Sequence, residues 1–203
     1  MPRAPQSPQY VRTVVPDQLD LRDRPYMPSV AQAPPAALGS PIVPQLPVLD
    51  QGRTNACTGF ALASVINLLL RRSKQEPNAD VSPFMLYSMA RRYDEFPGAA
   101  KDTGSSLRGA MKGWYKQGAC RKNLWSGLQM PPAQRNPALD WWQDAVGRPL
   151  GAYYRVDVRS VTDMQVALLE VGVLYASATC HAGWDLGFHL AARERQGWSI
   201  PPM

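Results

Sequence analysis

The chain has 203 residues, of which 22 are lysine or arginine and 16 are aspartate or glutamate, so its formal net charge is +6. Apolar residues make up 45%, which is enough for a hydrophobic core in one domain with an appendage. No run of about 18 apolar residues occurs, so we expect no membrane span. The basic residues are scattered and form no stripe with interleaved aromatics, so we expect no nucleic-acid partner.

Three cysteines are present, namely Cys57, Cys120 and Cys180. An odd number without short spacings argues against a disulfide framework and against a zinc cluster, because Cys180-His181 would supply only two ligands. We therefore predict neither a metal nor another cofactor. The N-terminus leads into no apolar secretory segment, and free thiols suit a reducing compartment, so we expect a cytoplasmic location.

Proline is concentrated near the N-terminus. Eleven of the 20 prolines lie in the first 47 residues, and proline lacks the amide donor that a central strand or a long helix needs. We therefore expect a flexible tail over residues 1–18. A Pro-rich strap over residues 19–49 should then open a folded domain that covers residues 19–203.

Helices dominate the next part of the sequence, a predicted helical subdomain over residues 50–130. Apolar residues recur at helical spacing over 57–72, with Asn55 as the expected N-cap. Ser82 followed by proline is typical of a helix start, and the second helix should extend to Tyr93.

A third helix is predicted over residues 107–117, with Ser105 or Ser106 as its cap and Gly118 at its end. The segment over 131–148 is polar and interrupted by prolines, and no helix or strand is assigned to it. Its Trp141-Trp142 pair is expected to be a local anchor.

The hydrophobic period then changes from helical to alternating. Residues 152–158 and 173–178 are rich in β-branched and aromatic types and predict two strands. Between them, residues 162–170 predict a short helix capped by its own first residues. Helices first and strands later indicate an α+β fold, with a β subdomain over residues 150–203.

One stretch combines residue types that carry chemistry. Cys57 stands at the first turn of the first predicted helix, and Gln51 precedes it in the loop that leads in. The amino end of a helix stabilises a thiolate, which is the nucleophilic form, through its dipole and free N–H groups. A glutamine amide beside it can donate a hydrogen bond to an oxyanion. The alternative is an inert buried cysteine, since free cysteine is among the most buried residue types.

The residues around Cys57 resemble the active-site segment of the papain-like cysteine peptidase family. The segments over 20–22 and 47–48 also resemble the start of that family's mature domain and its approach to the active site. The positions in register around the nucleophile are Gln51, Gly52, Cys57, Phe60 and Ala61.

Later segments follow the same order of landmarks. Thr103-Gly104-Ser105 lies where the family has its substrate-groove strand, and residues 167–176 resemble the helix and strand that open its β domain. The resemblance implies a papain-like two-subdomain fold, with peptide-bond hydrolysis through an acyl-thioester on Cys57. Gln51 and the Cys57 main-chain N–H would form the oxyanion hole. Gly104 and Ser105 would hold the substrate main chain, so a peptide or protein is the implied partner.

Two positions depart from the family pattern. Thr54 replaces the cysteine that usually forms a disulfide, and Thr58 replaces the tryptophan after the nucleophile. Both changes resemble the divergent bacterial branch of the family. No inhibitory propeptide helix is predicted before residue 19.

The histidine partner of the nucleophile is the weakest part of the resemblance. His189 lies about 130–150 residues after Cys57, as the family requires, but its surroundings predict a helix or charged loop. Three interpretations follow. The domain is truncated before its catalytic His and Asn and is inactive as this chain, which is the one we favour. Alternatively, His189 is the base in an unusual layout, or the chain is an inactive papain-like module that binds a partner.

Overall fold

The computed structural model describes residues 13–18, 20–28, 46–74, 76, 78, 80–95, 101–128 and 140–180. In this part of the chain, no helix combines the length and the apolar character that crossing a membrane requires. The described elements, in chain order, are β1 (Val14–Val15), α1 (Cys57–Ser73), α2 (Pro83–Tyr93), β2 (Ser105–Ser106), α3 (Leu107–Gln117), α4 (Trp141–Val146) and α5 (Val161–Val171).

Helix α1 forms where the helical spacing predicts it, but its first turn is built differently. The residue before the helix is Ala56, and no side chain caps that end. Asn55, the predicted N-cap, stands one residue too early. Its Nδ2 instead donates to the main-chain oxygen of Asp102, 2.8 Å away. The prediction of an Asn55 cap is therefore wrong, and the side chain links two loops.

Helices α2 and α3 begin and end as the sequence predicts. The Ser82 hydroxyl accepts from the main-chain N–H of Met85 at 3.0 Å, and the Ser106 hydroxyl accepts from that of Gly109 at 2.9 Å. Each bond satisfies one of the amide donors that a helix start leaves without a partner. Gly118 follows the last residue of α3. Both predicted helices are confirmed.

Helix α2 packs against both α1 and α3, and these three helices enclose the core. The close approach of α1 and α2 depends on Gly59. A Cβ added there would lie 2.2 Å from the Pro83 main-chain oxygen and 2.7 Å from the Tyr87 Cβ. The fully buried apolar side chains of the main cluster include Leu62, Ile66, Val81, Met85, Leu86, Met89 and Trp125.

The part of the chain after residue 139 departs most from the prediction. Helix α4 forms in a segment for which no helix is predicted, and Trp141 packs edge-on against Trp125 with ring centroids 5.0 Å apart. Helix α5 is confirmed, but its cap is Ser160, which accepts from the Asp163 N–H at 3.1 Å.

The two strands predicted over 152–158 and 173–178 do not form among the described residues. A strand needs a hydrogen-bonded neighbour as well as a favourable composition. The first segment has one parallel bridge, between Pro25 and Arg155, and the second has none in the part of the chain that the structure describes.

The end of the predicted tail contacts the helical part of the structure. Val14–Val15 pair in parallel with Ser105–Ser106. Asp17 accepts from the Arg108 main-chain N–H at 3.0 Å. The Arg108 guanidinium, only 6% exposed, also binds Asp20 at 2.8 Å and Asp23 at 2.6 Å. Residues 13–18, assigned to the tail from sequence, therefore lie against α3, while residues 1–12 are outside the described residues.

Candidate active site

Cys57 is the first residue of α1, and its side chain is partly exposed. Sγ lies 3.9 Å from the main-chain oxygen of Asn55, a weak S–H contact. The first-turn N–H groups and the positive end of the helix dipole lie at this thiol. Ala56 carries no side-chain oxygen that could accept from those N–H groups. The start of α1 can therefore stabilise a negative charge at or near Sγ.

A cleft of about 450 Å³ opens beside Cys57. Two of the four predicted site residues, Cys57 and Gln51, line it together. Most of the remaining lining is apolar, which lowers the local dielectric around any charge that develops there. The residues that line the cleft are Leu46, Pro47, Val48, Leu49, Gln51, Cys57, Phe60, Ala61 and Ser64.

The loop that carries Gln51 is held by its own hydrogen bonds. Gln51 Nε2 donates to the Thr54 main-chain oxygen at 3.1 Å, and the Thr54 hydroxyl donates to the Gln51 main-chain oxygen at 2.8 Å. The Gly52 N–H donates to the Asp50 carboxylate at 2.7 Å. These bonds define the path of the loop, so Gln51 stays beside the start of α1.

A second set of contacts holds the first turn of α1 in place. The Thr58 hydroxyl lies 2.6 Å from that of Ser105, and both side chains are buried. Tyr175 donates its hydroxyl to the Thr58 main-chain oxygen at 2.8 Å. Burial raises the pKa of Tyr175, and negative charge at Cys57 raises it further, so this hydroxyl stays protonated and donates.

The other two predicted site residues, Gly104 and Ser105, are covered. Gly104 has a φ of +96°, and a Cβ added there would lie 1.7 Å from the Thr13 main-chain oxygen. Directly after Thr13, β1 pairs with β2. The segment predicted to hold a substrate main chain is therefore paired with the chain's own residues 13–15. The substrate-binding role of Gly104 and Ser105 stays a prediction.

Thr13 also reaches the immediate surroundings of Cys57. Its hydroxyl donates to the Asn55 main-chain oxygen at 3.3 Å, and this is the oxygen that Cys57 Sγ contacts. The Thr13 hydroxyl and the Cys57 thiol therefore contact the same oxygen atom. The N-terminal segment thus lies close to Cys57 and pairs with the strand expected to bind substrate.

The other two cysteines have different environments. Cys120 is fully buried, and burial raises its pKa to about 12, so it remains a thiol at neutral pH. Cys180 is exposed. Both histidines, His181 and His189, lie outside the described residues. Within the described part of the chain, no group of three His, Cys, Asp or Glu side chains is placed to hold a metal ion.

Sequence reasoning missed several residues that surround Cys57, namely Thr13, Tyr87, Asp102 and Tyr175. Thr13, Asp102 and Tyr175 each make a polar contact with the start of α1 or the residue before Ala56, and Tyr87 packs against Ala56 and Phe60. A lone Tyr or Asp on an otherwise unremarkable segment has no periodicity that reveals such a contact. Asp102, next to the Thr103-Gly104 landmark, is the one position that the sequence pattern already placed near the site.

Comparison with known proteins finds similar solved structures. The structure is similar to xylellain, a cysteine protease from Xylella fastidiosa, with a TM-score of 0.63 and 26% sequence identity. That likeness covers 82% of this chain and 66% of xylellain. Procathepsin L 3 of the Tenebrio molitor larval midgut is similar with a TM-score of 0.44 and 17% identity, over 61% of this chain and 37% of that protein. No protein-family model and no curated protein matches the sequence. The structural likeness to xylellain supports a papain-like α+β fold.

Proposed function

We propose that the chain carries the nucleophile of a papain-like cysteine peptidase, with Cys57 as that nucleophile and a peptide or protein as substrate. The observation that carries the proposal is the position of Cys57, at the amino end of α1 and in the same cleft as Gln51. The likeness to a cysteine protease supports the same chemistry. The divergent bacterial branch, suggested by Thr54 and Thr58, stays part of the proposal.

In the proposed reaction, the Cys57 thiolate attacks the carbonyl carbon of a peptide bond. The oxyanion that forms accepts hydrogen bonds from the Cys57 main-chain N–H and the Gln51 amide. The intermediate then expels the amine, which takes up a proton, and leaves an acyl-thioester on Cys57. Water hydrolyses this thioester and restores the thiol.

The base that takes the thiol proton is not assigned, because both histidines lie outside the described residues. The expectation that the 203-residue chain alone is inactive stays a prediction, as does a role for His189. We also propose a reducing, cytoplasmic location, which the three free cysteines support.

The first test measures the alkylation of each cysteine by iodoacetamide at neutral pH, followed by mass spectrometry. Cys57 should react faster than Cys180, which is also accessible but lies on no helix, and Cys120 should react slowest because it is buried. Equal rates at Cys57 and Cys180 would favour an inert cysteine. The Cys120 rate serves as an internal control for unfolding.

The second test measures turnover of a fluorogenic peptide by the wild-type chain and by Cys57→Ala and His189→Ala. No turnover agrees with the expected inactivity of this chain. Turnover lost in both variants would assign His189 as the base and overturn that expectation. Turnover that survives Cys57→Ala would contradict the assignment of the nucleophile.

The second candidate function is a papain-like module that binds a partner without cleaving it. The observation that favours it is the pairing of β1 with β2, which covers the strand expected to bind substrate. For such a module, a partner isolated with the wild-type chain should bind Cys57→Ala with unchanged affinity. A peptidase would instead lose the covalent acyl-enzyme when Cys57 is replaced.

A further inference from the structure

Asp102, in the loop that precedes β2, contacts the segment that precedes α1. Its main-chain oxygen accepts from Asn55 Nδ2 at 2.8 Å. Its carboxylate accepts a short hydrogen bond from the Tyr87 hydroxyl and a longer one, at 3.4 Å, from the Gly104 N–H. Arg91 Nε lies 3.9 Å from the same carboxylate. Asp102 therefore joins α2, the β2 loop and the start of α1.

Tyr87 is the buried end of this arrangement. It lies on α2 with only 1% of its surface exposed. It packs with Ala56 and Phe60, which precede and follow Cys57 in the sequence. Gly59 allows α2 to approach this closely, since its Cα lacks the Cβ that would overlap Tyr87. Burial raises the pKa of Tyr87 well above its usual value of 10, and the bond to Asp102 raises it further. The hydroxyl thus remains a donor throughout the neutral range.

Asn55 is the end of the arrangement that touches the nucleophile. Its side chain is held by Asp102, and its main-chain oxygen is the atom that Cys57 Sγ contacts at 3.9 Å. A rotation of the Asn55 peptide would move this oxygen and alter the path of the chain into the first turn of α1. The three residues Tyr87, Asp102 and Asn55, here called the Asp102 link, therefore connect a buried helix to the thiol.

We propose that the Asp102 link positions Cys57, with Asp102 and Tyr87 as positioning residues that keep the first-turn N–H groups of α1 aimed at the thiol. The inference deepens the proposed function and rests on Cys57 as nucleophile.

The test compares Tyr87→Phe and Asn55→Ala with a matched control, Tyr93→Phe. Tyr93 lies on the same helix, and its hydroxyl accepts from Gln117 Nε2 at 2.6 Å rather than facing the site. The readout is the rate of Cys57 alkylation as a function of pH, with Cys120 as the folding control. We expect both link variants to slow Cys57 about two- to tenfold at neutral pH, the scale of one hydrogen bond. In both link variants the pH profile of the Cys57 alkylation rate should shift to higher pH. Tyr93→Phe should leave the rate and its pH profile unchanged.

The double variant Tyr87→Phe/Asn55→Ala separates a link from two independent contacts. If the two residues act through Asp102, the double variant should slow Cys57 little more than either single variant, because residues in one network are not additive. Fully multiplied effects would overturn the inference, and so would an unchanged Cys57 rate. Faster Cys120 alkylation in parallel would also overturn it, since that result means general loosening.

Different results would contradict this inference and the proposed function. The proposed function fails if wild-type Cys57 reacts no faster than Cys180. The Asp102 link fails if the link variants leave the Cys57 rate and its pH profile intact. Because the variants are scored by the Cys57 rate relative to Cys180, the link is tested whatever the reactivity of the wild-type thiol.

Discussion

Gly104→Ala should release β1 from the predicted substrate-binding strand. The added methyl would lie 1.7 Å from the Thr13 main-chain oxygen, far inside van der Waals contact, so one of the two segments has to move. Ser105 and Ser106 are fully buried, whereas β1 is only two residues long. Moving β1 breaks a few hydrogen bonds, each of which contributes about 0.5–1.5 kcal/mol. Disrupting the buried β2 would cost more free energy. We therefore expect β1 to leave and β2 to stay.

The expected loss of stability in Gly104→Ala has two parts. An alanine at φ +96° costs about 1–3 kcal/mol in backbone strain, and the lost β1 contacts add to this. Gly52→Ala is the matched control, because Gly52 also has a positive φ, of +58°, but a Cβ there would have no neighbour within 4 Å. It should cost only about 1–2 kcal/mol of strain. For a chain of this size each kcal/mol lowers Tm by about 2–4 °C, so both variants should remain folded.

Hydrogen exchange read by mass spectrometry is the deciding assay. In Gly104→Ala, the amides of Val14–Val15 should exchange faster, and added protease should cleave near residues 13–18. In Gly52→Ala, the amide exchange of Val14–Val15 and the protease cleavage should match those of the wild-type chain. Since Thr13 lies beside the thiol, Cys57 alkylation should also accelerate in Gly104→Ala alone. Equal exchange of Val14–Val15 in all three proteins would refute the argument that Gly104 permits the docking of β1.

Three further outcomes concern the ion pairs of the fold. Arg148→Met should destabilise the protein by about 3–5 kcal/mol in urea denaturation, because the Arg148 side chain is 5% exposed and pairs with Asp144 at 2.8 Å and Glu76 at 2.7 Å. Arg159→Met, at a side chain 88% exposed, should change stability by no more than about 0.5 kcal/mol, and a larger change would contradict the role given to burial. Burial opposes ionisation of Asp144, but hydrogen bonds from Arg121 and the charge of Arg148 outweigh it and lower its pKa below 3.8. The stability that this carboxylate adds should therefore be complete above about pH 4 and be lost as the pH falls through its folded pKa. Asp144→Asn should flatten the acid limb of a stability-versus-pH curve, and an unchanged limb would show that other groups control it.

The predictions that succeeded depend on signals within one turn of a helix. Ser82, and Ser105 or Ser106, are predicted as caps because a serine side chain reaches an amide three residues on, whatever the rest of the chain does. The same locality explains why Cys57 was predicted at a helix start. The error at Asn55 is one of register, since a cap must be the residue directly before the helix.

The predictions that failed needed a partner from elsewhere in the chain. Residues 152–158 have a strand-like composition, but the one described bridge pairs Arg155 with Pro25, and proline offers no N–H to continue a ladder. Helix α4 was missed because it also depends on such a partner. Its first residue, Trp141, is held by ring contact with Trp125, and a helix of only six residues has little periodicity to recognise.

The same distinction between local signals and contacts to distant segments applies to the candidate site. Cys57 and Gln51 are six residues apart, so one loop and one helix start bring them to the same cleft and the sequence suffices to pair them. The contacts that would tune the thiol span 42 residues for Thr13 to Asn55 and 117 residues for Tyr175 to Thr58. Each is a single hydrogen bond, and nothing in the local sequence requires it. The shared cleft of Cys57 and Gln51 is therefore predictable from sequence, whereas the groups that cover and contact this part of the chain follow from the packing of α1 against distant segments.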